Sequence, residues 1–507
     1  DHSEVIKAVP YYRGPKWYVA VDGSNTGDGS ELSPFADIKT AVDSAASGHT
    51  IILRAGVHKG QNNRNINLTD PAGKSLRLQG EQNAGDVFID AENSGYHFGI
   101  QGDYDSTLVF ANINFIRGSG YRPDDGNGNT NGVLGGSIVI FGYRYYDNNT
   151  QQDVEIHPTP KFISCNWEQN NSYAPSDQWG EGGAVYIASA SPSFHNSTFK
   201  KNASSSTGGA IKIWSDSQNT RLSSPKFYNC VFDQNYVSSN GSGSVNGGAV
   251  TITGAGNSVF YQSQFIKNYV SSNNDGAYGG AVHIEGNWDK NKYNNIVFDQ
   301  NLFSENYAAS PNNNGWGGAI VSKSPFSLIN SVLVKNFAVS DYPNGGALGI
   351  DIYESDGERG RSLLINNTIA FNELRNSSGS LSGQGAGISA YGEQEGYWFN
   401  NIIYFNKSSN DQSVSLNSEK VGFEHNNVDD KDGKSWFGDD NLSEDPKFKN
   451  PSGDDYRLRL SSGMIDTGTE GQGEDPAPKV DHRGYYRLGK PDIGAYEFGA
   501  SKYILDM

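Results

Sequence analysis

Gly247-Gly248-Ala249-Val250-Thr251-Ile252-Thr253 is followed by Phe265-Ile266-Lys267-Asn268. The pair then recurs as Gly279-Gly280-Ala281-Val282-His283-Ile284-Glu285 and Phe303-Ser304-Glu305-Asn306. Working outward, the glycine pair also occurs at 182–183, 208–209, 317–318 and 345–346, with weaker copies at 135–136 and 385–387. Aromatic-x-x-Asn occurs at Trp167, Phe199, Phe232, Phe265 and Phe303, with aliphatic versions at Leu333, Ile369 and Ile403. These anchors lie 30 to 38 residues apart. The runs after each glycine pair alternate apolar and polar, as strands do, rather than following a 3.6-residue period. The units are shorter than the ~40 to 45 residues of a propeller blade. The chain therefore reads as all-β, a right-handed parallel β-helix solenoid in which each coil stacks on the last at about 4.8 Å.

Stacking puts like residues on like. The anchors should form one internal row. Two positions earlier lies a small or polar row that contains Cys165 and Cys230, two coils and roughly 10 Å apart, beyond disulfide reach. Four positions before the anchors runs a mostly apolar row, Ile163, His195, Tyr228 and Tyr261 among its members, which makes His195 a packed core residue. Three positions before them runs an amide row from Asn196 to Asn400, expected to hydrogen-bond along the stack.

Composition agrees. The 507 residues include 62 Gly, which fits a turn after every short strand, and enough aromatics to exclude disorder. A net charge of −18 disfavours nucleic acid and anionic membranes. No segment has the ~18 apolar residues of a membrane helix. A chain that starts at Asp1 fits a trimmed, secreted or cell-surface protein, expected to act as a monomer. Residues 1–60 read as a cap with one strand and one helix (Pro34–Val42), 61–410 as the coils, and 411–507 as an irregular C-terminal cap.

Trp17-Tyr18-Val19, the Pro34-Phe35 to Ala41-Val42 helix and Ile51-Ile52-Leu53 make an opening that resembles exported parallel β-helix proteins, several polysaccharide lyase families included. Asp445-Pro446-Lys447-Phe448, Tyr456-Arg457-Leu458 and Asp492-Ile493-Gly494-Ala495-Tyr496-Glu497 resemble the end of secreted β-helix proteins of Bacteroidetes type. The two coil motifs also resemble repeats of polymorphic outer-membrane autotransporters. The resemblance implies an exported, polysaccharide-acting protein. It does not fix the reaction, because this scaffold carries lyases, hydrolases and adhesins.

In each Gly-Gly-Ala strand the third and fifth residues after the glycine pair should face out. They give a strip that runs through Tyr186, Lys212, Trp214, His283, Glu285, Lys323 and Asp351. Elimination from a uronate needs a base, a cation for the enolate and an acid for the leaving oxygen. Lys212, His283 and Lys323 are candidates for base and cation, and Tyr186 or His283 for acid. Glycoside hydrolysis needs two carboxylates, and Glu285 with Asp351 could serve, at two coils' separation. Trp179, Trp214, Tyr278, Trp288 and Trp316 are candidate sugar platforms. The expected function is a lyase on an acidic polysaccharide such as fucoidan or alginate, with a glycoside hydrolase or a non-catalytic adhesin as the alternatives. The sequence points to no cofactor other than calcium. Calcium is a candidate ion for the oxygen-rich loops Asp22–Asp28, Asp125–Asn129 and Asp429–Asp432, each of which also reads as an ordinary turn; the metal site is unknown.

Overall fold

The computed structural model describes residues 12–70, 72–81, 86–123, 132–174, 179–215, 221–239, 243–254, 256–286, 295–352, 361–392, 395–429, 438 and 440–502. Among these, the main parallel sheets have 13, 12, seven and 11 strands; the first, second and fourth run along most of the chain, and the third lies between residues 171 and 375. Successive coils supply adjacent strands, so the fold is a parallel β-helix. One coil illustrates the path. Ser193–His195 lies in the first sheet, Thr198–Lys200 in the second, Ala203–Ser204 in the third and Ile211–Trp214 in the fourth.

The core is two aromatic columns. Trp167, Phe199, Phe232, Phe265 and Phe303 stack at 4.6 to 4.9 Å. Phe162, Phe194, Phe227, Phe260 and Phe298 stack beside them at 4.5 to 4.9 Å. All are fully buried, and each such burial stabilises by about 1.5–3 kcal/mol. Cys165 and Cys230 are buried and unpaired, as their row predicts.

The second column corrects the reading of His195. The inward row lies five positions before the anchors, not four. Asn196, Asn229, Gln262 and their equivalents adopt φ of 48° to 59° at the corner between the first two sheets, and this left-handed residue shifts the inside–outside alternation by one. Short amide side chains tolerate that conformation. His195 therefore faces out, half-buried, and stacks on Tyr228 at 5.0 Å.

The continuous amide ladder is made by the motif asparagines themselves. Asn170, Asn202, Asn235, Asn268, Asn306, Asn336 and Asn372 each donate to the next at 2.9 to 3.0 Å, ending at Asn406. Each of these side chains also donates to a carbonyl of the preceding coil, as Asn268 does to Phe232 O at 2.8 Å. The corner amides pair only in places, for example Gln262 to Gln300 at 2.8 Å.

At the N-terminus the helix Ile38–Ser44 is capped by Asp37, which accepts from Thr40 N. Ile38, Ala41 and Val42 join the core at its open end. Strand pairing continues past residue 410 through Val414–Leu416, Val421–Glu424 and Asn427–Val428. The segment that follows turns back along the outside. Phe448, Tyr456, Leu458, Met464, Ile493 and Ala495 cover Val332, Val334, Ala370 and Ile402 on the outer face of the second sheet. Outward residues of that sheet are accordingly polar in early coils (Lys200, Asp233) and apolar in these late ones. Among the described residues, no helix is long and apolar enough to cross a membrane.

Candidate functional site

The fourth sheet holds the Gly-Gly-Ala strands, and the glycine pair makes a corner ahead of it. Gly279 has φ +68°, and a Cβ on it would lie 2.1 Å from Val282 O. A Cβ on Gly280 would lie 2.1 Å from Gly318 O in the next coil. The first glycine sets the bend and the second allows close backbone approach. The residue before each pair becomes a second wall facing the strand. Pairing aligns Glu181, Thr207, Asn246, Tyr278, Trp316, Asn344 and Gln384 along it. The outward third residues align as Tyr186, Lys212, Thr251, His283, Val321, Gly349 and Ser389. The register predicted from sequence is the one observed.

Between the walls lies a cleft of about 460 Å³, lined by Ser244, Asn246, Tyr278, Glu285, Asn314, Trp316, Lys323, Asn344, Asp351 and Tyr391. Lys323 Nζ is 3.2 Å from Glu285 Oε1 and 6.0 Å from the centre of the Tyr278 ring. Trp316 lies against Gly349, where a Cβ would sit 2.4 Å from its Nε1, and meets Tyr391 edge-on at 6.0 Å. The Tyr391 hydroxyl donates to Asn344 Oδ1 at 3.1 Å.

His283 is 1% exposed, and its Nε2 is 3.6 Å from Glu285 Oε2. Neither ring nitrogen has a hydrogen-bond partner. Burial pushes its imidazole down to about 4, so the ring is neutral at neutral pH. Lys212 is 6% exposed, donates to Thr253 Oγ1 at 2.9 Å and lies 3.7 Å from Glu181. Burial pushes its ammonium below the usual lysine range, against the pull of Glu181 and Glu285. Burial opposes the charge on Glu285, yet the neighbouring cations, Lys323 with its hydrogen bond and Lys212, hold its carboxyl below the ordinary range.

Of the residues singled out from sequence, Glu285, Lys323, Asp351, Tyr278 and Trp316 line one cleft, with His283 in contact with Glu285. Tyr186 and Trp214 lie toward the N-terminal end, in an apolar patch with Leu134, Val139 and Phe141. Burial there pushes the Tyr186 hydroxyl well above its usual range. Trp179 is 54% exposed and three coils from Tyr278, roughly 14 Å along the axis. Trp288, Asp125–Asn129, Asp430 and Asp432 lie outside the described residues. Of the cleft residues, Asn246, Asn314, Asn344, Ser244 and Tyr391 were not singled out from the sequence. The position immediately before each glycine pair would have found Asn246 and Asn344.

Among the described residues, Asp466, Asp492 and Glu497 are the group whose carboxylate oxygens lie close enough to share a metal ion, within 4.8 Å. Asp492 and Glu497 already accept from Asp466 N, Phe498 N, Leu488 N and Asp492 N, which fixes the C-terminal fold. In the Asp22–Asp28 loop, Asp28 accepts from Ser30 N at 3.0 Å, as in an ordinary turn.

No protein-family model matches the sequence, and no curated protein does. Solved structures similar to the chain include pectate lyase Pel9A, with a TM-score of 0.45, 14% identity and coverage of 95% of this chain and 96% of that one. A rhamnogalacturonan lyase has a TM-score of 0.42 and 10% identity, covering 86% and 91%. XylC in complex with xylose has a TM-score of 0.39 and 10% identity, covering 96% and 99%. Likeness at this level carries no argument about the reaction, which rests on the cleft alone.

Proposed function

We propose that the chain is a polysaccharide lyase that holds its polymer along the corner between the two walls and cleaves it by β-elimination next to an acidic sugar. One observation carries this reading: Lys212 and Lys323, two lysines of opposite burial, flank Glu285 beside an aromatic-walled cleft. Elimination needs an amine basic enough to take the proton α to the carboxylate, and a cation that stays charged. Burial prepares Lys212 for the first task by favouring its neutral form. Lys323, with a side chain 38% exposed, suits the second. In this reading Lys212 exchanges its bond to Thr253 Oγ1 for the substrate proton. The electron pair forms the C4=C5 bond, the C4–O bond breaks, and a Tyr278 or Tyr391 hydroxyl supplies the proton to the leaving oxygen. His283, neutral and enclosed, is unsuited to the acid role. A polymeric substrate fits the export expected from the sequence.

A second reading, glycoside hydrolysis, has one observation in its favour: Glu285 and Asp351 line the same cleft. Incubation with acidic polysaccharides separates the two. Ultraviolet absorbance from an unsaturated product, lost in Lys212→Met, supports elimination. New reducing ends without that absorbance would replace it with hydrolysis, and binding without either product would leave an adhesin.

A further inference from the structure

The corner that holds the cleft continues toward the N-terminus, and strand pairing follows it on both sides. On the strip, Ala188, Trp214, Thr253 and Glu285 pair in turn. On the wall, Glu181, Thr207, Asn246 and Tyr278 pair in turn. Trp179 stands two residues before Glu181 in the strand Trp179–Glu181, so both side chains leave the same face of the wall. That face is the one toward the strip, because Glu181 Oε1 lies 3.7 Å from Lys212 Nζ. In the cleft the equivalent positions, two before Asn246 and Trp316, are Ser244 and Asn314, and both line it. Trp179 therefore faces the same corner as the cleft, two coils or roughly 10 Å before Ser244.

Trp179 is held in place and yet open. Its indole lies against Gly132 of the preceding coil, where a Cβ would meet Nε1 at 2.7 Å. Trp316 uses the same kind of seat in the cleft, on Gly349. An indole that only filled the space over Gly132 would bury its own surface, but 54% of Trp179 is exposed. Across the corner and one coil on, Trp214 is half-buried and packs on the apolar patch of Leu134, Val139 and Tyr186. Two seated aromatic surfaces on opposite sides of one corner suit a sugar ring, which presents C–H bonds on its faces and hydroxyls at its rim.

We propose that Trp179 and Trp214 form a second, non-catalytic sugar site that grips the polymer three coils, roughly 14 Å, from Tyr278. The identity of its ligand, the same chain that enters the cleft, rests on the lyase reading. The place of the site rests on the register and on the two indoles. A saccharide chain advances per sugar by a distance comparable to the coil spacing, so only a chain of several sugars reaches from the cleft to Trp179. Joining the two contacts makes the second one intramolecular and favours long chains over short ones.

The test uses the full chain, with alginate and polygalacturonate as probes, each as a trisaccharide and as a dodecasaccharide. Affinity is measured by calorimetry, and product by ultraviolet absorbance. For at least one probe the dodecasaccharide should bind about tenfold or more tightly than the trisaccharide. Trp179→Ala should lower dodecasaccharide affinity about fivefold. It should leave trisaccharide affinity and the melting temperature unchanged, since the side chain is largely exposed. Trp179→Phe should restore most of the loss, and Trp214→Ala should act in the same direction as Trp179→Ala. Equal losses for both lengths, no loss in Trp179→Ala, or no binding of either probe overturns the proposal. A length effect that depends on Trp179 but comes without unsaturated product would sink elimination and leave the second site standing.

Discussion

The Phe-x-x-Asn flank and the Gly-Gly-Ala corner are built by the same coils, yet they treat repetition in opposite ways. On the flank the coils from Phe199 to Phe303 repeat one another. Phe stacks on Phe, Asn donates to Asn, and the amides between coils are satisfied. At the corner the glycines repeat, but the side chains they present do not. Lys212, Thr251, His283 and Val321 follow one another in one row, and Asn246, His283 and Trp316 keep polar atoms without partners. Repetition gives the fold its stability. Its interruption marks the corner to which the proposed chemistry is assigned.

The largest effect expected on this contrast is on the flank. Asn268 accepts from Asn235 N and Nδ2 and donates to Phe232 O and Asn306 Oδ1. Asn268→Ala should destabilise the chain by about 3–5 kcal/mol, because it strands several buried polar groups. Denaturant unfolding measures this, and the activity of the protein that remains folded should be unchanged.

At the corner the pattern should invert. Lys323→Ala should lower turnover about 100-fold, roughly 3 kcal/mol in the barrier. Its stability should change by less than about 1 kcal/mol, since the side chain is partly exposed and its ion pair is screened. Loss of stability without loss of rate would break the division between the two regions.

Asp299, on the outer face of the first sheet, sharpens it. Burial raises its carboxyl to about 6, and one oxygen has no partner. The folded state therefore holds the proton more tightly than the unfolded state. Stability from this group is full below the unfolded value near 4 and is lost as pH rises toward 6. The loss should be about 1–3 kcal/mol and absent in Asp299→Asn, as measured by melting between those pH values. The cleft should respond in the other direction. Glu285, held below the ordinary carboxylate range, keeps its charge as pH falls through that window.

The smallest effect expected is that of Gly349→Ala. Its added methyl would lift Trp316 from its seat. KM should rise about three- to fivefold with kcat little changed, as the loss of roughly 1 kcal/mol of sugar stacking implies.

Much of this was legible beforehand, for a physical reason. Parallel stacking turns a sequence spacing into a spatial row, so the anchors, the unpaired cysteines and the register of the Gly-Gly-Ala strip could all be read from the sequence. Parity could not be carried across a corner. Nothing in the residues around Asn196 states that it takes a left-handed φ, so His195 was read as core when it faces out. Tyr186 and Lys323 looked equivalent on the strip. What separates them is the neighbours each one meets: an apolar patch for Tyr186, and Glu285 and Tyr278 for Lys323.

The sequence by itself determined the β-helix and which side chains of the Gly-Gly-Ala strands face out, because these follow from local alternation and from repetition of like on like. Tertiary structure decided the rest. The bend at each glycine pair brings the preceding residue round to face the strand, so Asn246, Tyr278, Trp316 and Asn344 meet Glu285, Lys323 and Asp351 across a cleft. Burial beside the cleft then keeps His283 neutral and pushes Lys212 toward its neutral form. Both depend on contacts between coils about thirty residues apart, which no local pattern encodes.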